Sequence, residues 1–479
     1  MTHFTPHPLR FTHLRFTRYI LLLVLLWTAC ACGLMPTATA PPPSATLVPT
    51  ATSLPPTATL APTATSLPPT ATAPSPTATL APTPTHAIPG ETTARQLRVF
   101  THLWESVRDL YVYPDFNGLD WDDVGQRYRA RIEAGVDDEA FYQAMREMID
   151  ELGDEHSVFN SPQEVAEEEK DLLGQLDYVG IGIYVTTLPD KDHAVLLQVF
   201  PGSPAEQAGM LPHDRILAVE GQPVIDARGD DQLDLLLGPI GSEVRVTLQT
   251  PGQEPRELLT TRARIQAQLP VDARRLPGTD IGYILVPTFW DLTIADRVRQ
   301  ALEGLLEQGE LAGLIVDMRI NGGGVDVALV DTLALFTHGE QGAFVSHDDA
   351  RPLFIQADPV GNSQELPLVV LVGRETQSFG EVFSGVLQES GRALLVGRTT
   401  TGNVETLWSV DLEDGSRAWV AAETFRPPSG ADWEENGIVP DVEIPLDWDD
   451  FTSQQDPQLQ AALDWLLELV GTHKDTDGR

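Results

Sequence analysis

Residues Leu366 to Glu381 read Leu-Pro-Leu-Val-Val-Leu-Val-Gly-Arg-Glu-Thr-Gln-Ser-Phe-Gly-Glu, with Ser378 in the thirteenth place, and an apolar-periodic run continues to Gly397. An apolar stretch, a short polar turn and that second run predict a buried strand, a turn and a helix opening at Ser378. The Ser378 hydroxyl then lies at the positive end of a helix dipole, where developing negative charge is favoured. Such a serine suits acyl transfer, provided that a general base removes its proton. A second turn, Asp317-Met-Arg-Ile-Asn-Gly-Gly-Gly324, also follows an apolar strand and precedes a helix. Its glycines lack both the Gly-Lys-Ser/Thr and the Gly-x-Gly-x-x-Gly spacing of nucleotide loops. They suit a tight turn with positive φ that presents backbone N–H groups.

The elements that must position these turns alternate from Asp280 onward. Strands are predicted over 281–286, 314–318, 368–372 and 393–396, with helices over 294–308, 325–336 and 378–389 between them. This alternation implies an α/β sheet with the reactive groups at the carboxyl ends of its strands. The connection over 337–365 is long enough to carry a lid or a substrate-contacting hairpin, and an amphipathic helix over 456–470 closes the chain. Upstream, Leu97, Phe100, Leu103, Trp104, Val107, Leu110 and Tyr111 recur at helical spacing. Two more helices follow, over 122–134 and from Asp138 to a C-cap at Gly153, so residues 92–160 read as a small helical domain. Asp154-Glu155-His156-Ser157 sit on the loop just past that cap. Residues 174–265 change to the period of strands.

The segment around Ser378 resembles the carboxyl-terminal processing (tail-specific) serine peptidases. Their usual stretch there is Ser-Ala-Ser-Ala-Ser-Glu, and alignment on Glu381 makes Ser378 the middle serine, the nucleophile. The Asp317 turn is similar to the family's Asp-Leu-Arg-x-Asn-x-Gly-Gly, which implies an oxyanion-hole amide at Gly323, with the Phe379 amide as the second donor. Tyr178-Val-Gly-Ile-Gly-Ile183, Ser203-Pro-Ala-Glu-Gln-Ala-Gly-Met210 and Asp214-Arg-Ile-Leu-Ala-Val-Glu-Gly221 resemble a PDZ domain of the bacterial protease type. That resemblance implies an extended peptide added as a strand, its terminal carboxylate received by backbone amides around Tyr178, Val179, Gly180 and Ile181; a β module that only braces the enzyme is the other reading. The resemblance covers about residues 92–450. It implies a crotonase- or Clp-like α/β peptidase core over 270–450, an inserted PDZ domain over 174–265, the N-terminal helical domain, substrates with exposed C-termini, and no metal, nucleotide or other cofactor.

The family's base is a lysine twenty-five positions after the nucleophile, where this chain has Asn403. The three lysines, Lys170, Lys191 and Lys474, all fall outside the predicted α/β core, so a histidine becomes the candidate, its ordinary pKa of ~6.5 suiting a base near neutrality. Leu152-Gly-Asp-Glu-His-Ser157 resembles the family's Leu-x-Asp-x-His-Ser motif. The tricorn-like branch uses a histidine from that region, next to a serine, with a glutamate from a later motif orienting the pair. Trp433-Glu-Glu-Asn-Gly-Ile-Val-Pro-Asp441 supplies such a motif. The resemblance thus implies His156 as base, with Glu435 and Ser157 as its orienting pair, although the serine here follows the histidine where in tricorn it precedes it. Glu405 is an equally placed acid, and His156 as a loop residue hydrogen-bonding across domains is the alternative. Two functions stay open: a serine endopeptidase, or a peptide-binding lipoprotein whose protease site has decayed.

Composition sets the compartment. Arg10, Arg15 and Arg18 precede an apolar run from Tyr19 to Trp27 and then Thr28-Ala-Cys-Ala-Cys-Gly33. The run is shorter than the ~20 residues that span a bilayer, so residues 1–32 read as an export signal. Its small residues resemble a bacterial lipoprotein cleavage site, with Cys30 or Cys32 as the acylated residue and the membrane reached through that lipid. Residues 36–89 are Pro, Thr, Ala and Ser in a degenerate repeat, which predicts an extended stalk reaching roughly 170 Å at ~3.1 Å per residue. Every acid of a chain with net charge −39 lies beyond that stretch, which argues against nucleic-acid binding. Together these features predict a lipid-anchored protein of the cell envelope. Replacing both cysteines by serine is expected to release it from the membrane fraction and remove any acyl mass from its N-terminus; unchanged fractionation would exclude a lipid anchor.

Overall fold

Three amphipathic helices begin the part of the chain that the computed structural model describes, namely residues 90–154, 156–171, 176–434 and 436–476. The segment with Cys30 and Cys32, the Pro/Thr-rich stretch and Glu435 lie outside the described residues. Helix α1 spans Gly90–Leu110, α2 Trp121–Glu133 and α3 Asp138–Asp150. Asp120 and Asp137 start the second and third, their carboxylates accepting the N–H of Asp123 and Ala140, as N-cap aspartates do. Strand β1 (Val158–Asn160) and helix α4 (Pro162–Asp171) follow.

The next elements are β2 (Leu176–Gly180), β3 (Ile183–Leu188), β4 (His193–Val199), α5 (Pro204–Gln207), β5 (Arg215–Val219), β6 (Gln222–Pro223), β7 (Glu243–Gln249), β8 (Arg256–Thr261) and β9 (Ala263–Ala267). They form a sheet in the order β3-β4-β5-β7-β8, with β6 on β5, and a separate ribbon of β2 and β9. A short 3₁₀ turn, Leu233–Leu236, stands between β6 and β7. Strand β3 is an edge of its sheet.

The alternating region contains β10 (Ala273–Arg275), β11 (Ile281–Leu285), α6 (Ile294–Glu307), β12 (Gly313–Asp317), α7 (Asp326–Leu333), β13 (Gly339–Val345), β14 (Ala350–Ile355), β15 (Leu368–Val372), α8 (Phe379–Glu389), β16 (Leu394–Gly397), β17 (Glu405–Asp411), β18 (Arg417–Arg426), β19 (Val442–Glu443) and α9 (Pro457–Thr476). A six-stranded sheet runs β10-β11-β12-β15-β16-β19, parallel from β11 onward. Every residue of β11, β12 and β15 is buried, which is why these strands read as continuous apolar runs rather than alternating ones. One face packs on α6, α7 and α8 through residues such as Val316, Val370, Val298, Leu329 and Phe383. The other packs on α9 and on β3 and β4, where Leu188, Val195 and Leu197 meet Tyr283, Ile315, Leu371 and Leu466.

The connection over 337–365 carries the hairpin β13–β14, and β18 bonds to β1, β13 and β17 in a second sheet. The N-terminal helices share their core with this sheet: Phe100, Leu103, Phe141 and Met148 cluster with Val410, Ala418 and Val420. The helices expected as a domain of their own are thereby fixed to the strand whose neighbour, β17, begins at Glu405.

Candidate active site

Ser378 stands between β15 and α8, at the carboxyl edge of the parallel sheet. Its backbone is at φ 52°, ψ −126°, a conformation that costs an L-residue energy and recurs where a nucleophile is presented on a sharp strand-to-helix turn. The buried Glu381 carboxylate holds that turn. It accepts hydrogen bonds from Ser378 N (3.1 Å), Asn403 N (2.8 Å), Gly402 N (2.7 Å) and Thr400 Oγ1 (2.5 Å). Burial raises its pKa, and those four donors pull it back only in part. Asn403 therefore meets the Ser378 turn through its backbone, and its amide side chain has no basic nitrogen with which to take a proton.

Gly323 lies directly over the serine. Its φ is +89°, and a Cβ built there would come within 2.6 Å of Ser378 Cβ and 3.1 Å of the Phe379 amide nitrogen. Phe379 is the first residue of α8, so its N–H is one of the helix's intrinsically unpaired donors. The Gly323 amide instead donates to Asn321 Oδ1 at 2.9 Å, while the Asn321 carbonyl accepts from Gln377 N. The two expected oxyanion donors are thus brought together at Ser378, one open and the other engaged with Asn321. Asp317 and Arg319 of the same motif are buried and paired with each other and with Tyr283, Asp456 and Gln458, an anchor to α9.

His156 sits between two carboxylates. Its Nε2 is 3.5 Å from Glu405 Oε2 and 3.5 Å from Glu434 Oε1. Burial acts to lower its pKa, but the Glu434 hydrogen bond and the charge of Glu405 outweigh it, and the value is raised above 6.5. Burial likewise pushes Glu405 up to about 7, while Tyr113 donates to its Oε1 at 2.5 Å. The loop after the third helix is tied by Asp154 Oδ1, which accepts from His156 N and Ser157 N. Ser157 Oγ accepts from Ala421 N on β18. No direct hydrogen bond joins His156 to Ser378 among the described residues. The two groups share one loop: Asn403 N–H points to Glu381 under the serine, and the next amide, Val404 N–H, donates to Glu434 Oε2 at 2.8 Å.

Sequence reasoning left Glu434 and Tyr113 unassigned. Glu434 belongs to the same motif as Glu435, which lies outside the described residues; Tyr113 carries no sequence signal, since its partner lies 292 residues away. In the PDZ-like region, Tyr178, Val179 and Gly180 belong to β2 and pair with Ile265, Arg264 and Ala263 of β9. Their backbone thus belongs to a strand pair. The buried Ile181 follows them, its carbonyl accepting from Ala205 N at 2.9 Å. The turn before Ser378 touches this region twice: Arg374 pairs with Asp190, and Glu375, which burial pushes up to about 7, bonds to Thr186 on the edge strand β3.

The sequence matches three family profiles: Peptidase family S41 over residues 280–444, the tricorn protease C1 domain over 94–150 and a PDZ domain over 195–250. It is 32% identical over 376 residues to the chloroplastic C-terminal processing peptidase of Tetradesmus obliquus, covering 74% of this chain and 79% of that one. It is 31% identical over 394 residues to the carboxyl-terminal-processing protease of a Synechocystis species, covering 78% and 87%. Among solved structures, the photosystem II D1 C-terminal processing protease superposes with a TM-score of 0.56 at 30% identity, over 74% of this chain and 93% of that chain.

Gly323→Ala places a methyl group in the gap above Ser378 at a φ that disfavours it. The variant is expected to fold, by circular dichroism, and to lose about 100-fold or more in kcat/KM on casein; full activity would mean that this gap is not where the carbonyl oxygen sits.

Proposed function

The chain belongs to peptidase family S41, as a PDZ-containing serine peptidase of the carboxyl-terminal processing type, and on that premise we propose that it works without a lysine, with Ser378 as nucleophile and His156 as base. One observation carries the proposal: the strained serine and the carboxylate-flanked histidine are tied to consecutive amides of the same loop, Asn403 and Val404. In this reading Ser378 Oγ attacks the scissile carbonyl carbon and its proton passes to the imidazole. The oxyanion is met by the Phe379 N–H, and by the Gly323 N–H once Asn321 yields it. Collapse breaks the C–N bond as the imidazolium protonates the leaving amine, and water then hydrolyses the acyl-enzyme by the same route. Because Nε2 faces both carboxylates, it is the nitrogen that carries the ring proton, which leaves Nδ1 to accept from the serine. Glu405 and Glu434 orient the ring and stabilise its charged form.

Substrates on this reading are proteins or peptides with exposed C-termini, met outside the cytoplasm by a chain held at the membrane through Cys30 or Cys32. The edge strand β3 supports β-augmentation, since its outer backbone groups face no other strand among the described residues. The amides near Gly180 and Ile181 lie just ahead of that strand.

Two measurements test the proposal. A peptide with a free carboxyl terminus is expected to bind more tightly than its amidated form by ~1.5–3 kcal/mol, the worth of a charge-assisted contact, and equal affinities by calorimetry would leave the PDZ domain a brace. On the acid side, kcat/KM should fall as pH drops through a midpoint above 6.5, because the charges of Glu405, Glu434 and Asp154 hold the imidazole protonated to higher pH than usual. Glu405→Gln should move that midpoint down, and His156→Ala and Ser378→Ala should each lose on the order of 10⁴-fold. A His156→Ala enzyme with an unchanged acid limb would rule out this base.

A further inference from the structure

The geometry around His156 Nε2 also suits a metal ion. One N–H faces two carboxylate oxygens, each at 3.5 Å, beyond the 2.7–3.2 Å of a good N–H···O contact. Ligands at ~2.0–2.2 Å around a tetrahedral ion stand about 3.4 Å apart. The three ligating atoms lie within 4.8 Å of one another. Glu405 Oε2, on a side chain only 2% exposed, has no hydrogen-bond partner. Each carboxylate is also held by its other oxygen, Glu405 Oε1 by Tyr113 and Glu434 Oε2 by Val404 N. One oxygen of each is thus fixed and the other offered, the arrangement by which an outer shell orients metal ligands.

We propose that His156 Nε2, Glu405 Oε2 and Glu434 Oε1 bind a borderline divalent transition cation, zinc foremost, and that the bound ion switches the peptidase off. One imidazole nitrogen and two carboxylates match the donor preferences of zinc, whereas calcium and magnesium require more oxygens. An ion on Nε2 displaces the proton from that nitrogen; the neutral ring then carries its proton on Nδ1 and has no lone pair left for the Ser378 proton. This switch rests on His156 being the base; the metal site itself does not.

The test uses full-length, tag-free, chelator-stripped protein, titrated with zinc by calorimetry against a competing chelator, with calcium and magnesium as controls. One zinc per chain is expected, with Glu405→Gln and Glu434→Gln each weakening binding at least about tenfold, and a Cys30→Ser, Cys32→Ser variant binding as the wild type does. Glu434→Asp, which keeps the charge and draws the oxygen back by one methylene, serves if the neutral variant fails to fold. Zinc should raise the Tm of the wild type and leave that of Glu405→Gln unmoved. Hydrolysis of casein should be lost with the midpoint of the binding curve. No stoichiometric binding at tens of micromolar zinc, or equal binding by both glutamate variants, would overturn the site while leaving His156 as base. Stoichiometric binding with hydrolysis unaffected would overturn the switch and the base assignment together.

Discussion

The Glu381 carboxylate, buried and holding four donors, is the constraint on which the site depends. It lies in the first turn of α8, where negative charge is favoured by the unpaired N–H groups of the helix. From there it fixes the strained Ser378 backbone on one side and the loop through Thr400, Gly402 and Asn403 on the other. A group that satisfies so many donors costs several kcal/mol to remove. Its hold converts an unfavourable φ at Ser378 into a fixed presentation of the hydroxyl. The same loop then delivers Val404 N–H to Glu434, and Thr400 Oγ1 accepts from Ile438 N at 2.7 Å. Glu434 and Ile438 are thereby tied to the loop that Glu381 holds under Ser378.

The absence of lysine at position 403 changes the electrostatics of the cleft. Asn403 brings no charge there; the imidazole of His156, on the loop after the N-terminal helices, lies between two acids. With Glu405 Oε2 only 3.5 Å from His156 Nε2, the acid limb expected of the proposed mechanism belongs to the pair rather than to either group alone. Their pairing depends on the second sheet. Strand β18 docks the helices that carry His156, through Ser157 and Ala421, and it pairs with β17, which begins at Glu405. Chain segments hundreds of residues apart are thus brought to one ring nitrogen.

The strand, turn and helix around Ser378 were readable because β15 and α8 carry strong local patterns: five consecutive buried residues, then an apolar-periodic helix. Gly323 and Phe379 were singled out through the resemblance of their segments to the family motifs, and both lie beside Ser378. The β17–β18 hairpin was not readable, since β18 is buried along nearly its whole length, shows no alternation and takes its partners from β1 and β13, far away in the chain. Glu434 reaches His156 from a turn, where side-chain direction follows no period, so periodicity does not report its contact. The involvement of Gly180 in a ribbon with β9 was hidden for a similar reason, because nothing local to residues 176–180 names partners at 263–267.

The rate at which a fluorophosphonate labels the protein, followed as a function of pH with the modified residue identified by mass spectrometry, tests most directly whether a serine is activated here without lysine. Modification of Ser378 alone is predicted, with a rate that falls on the acid side and collapses in His156→Ala. A folded wild-type protein that stays unlabelled, or a His156→Ala variant that labels at the wild-type rate, would contradict the account.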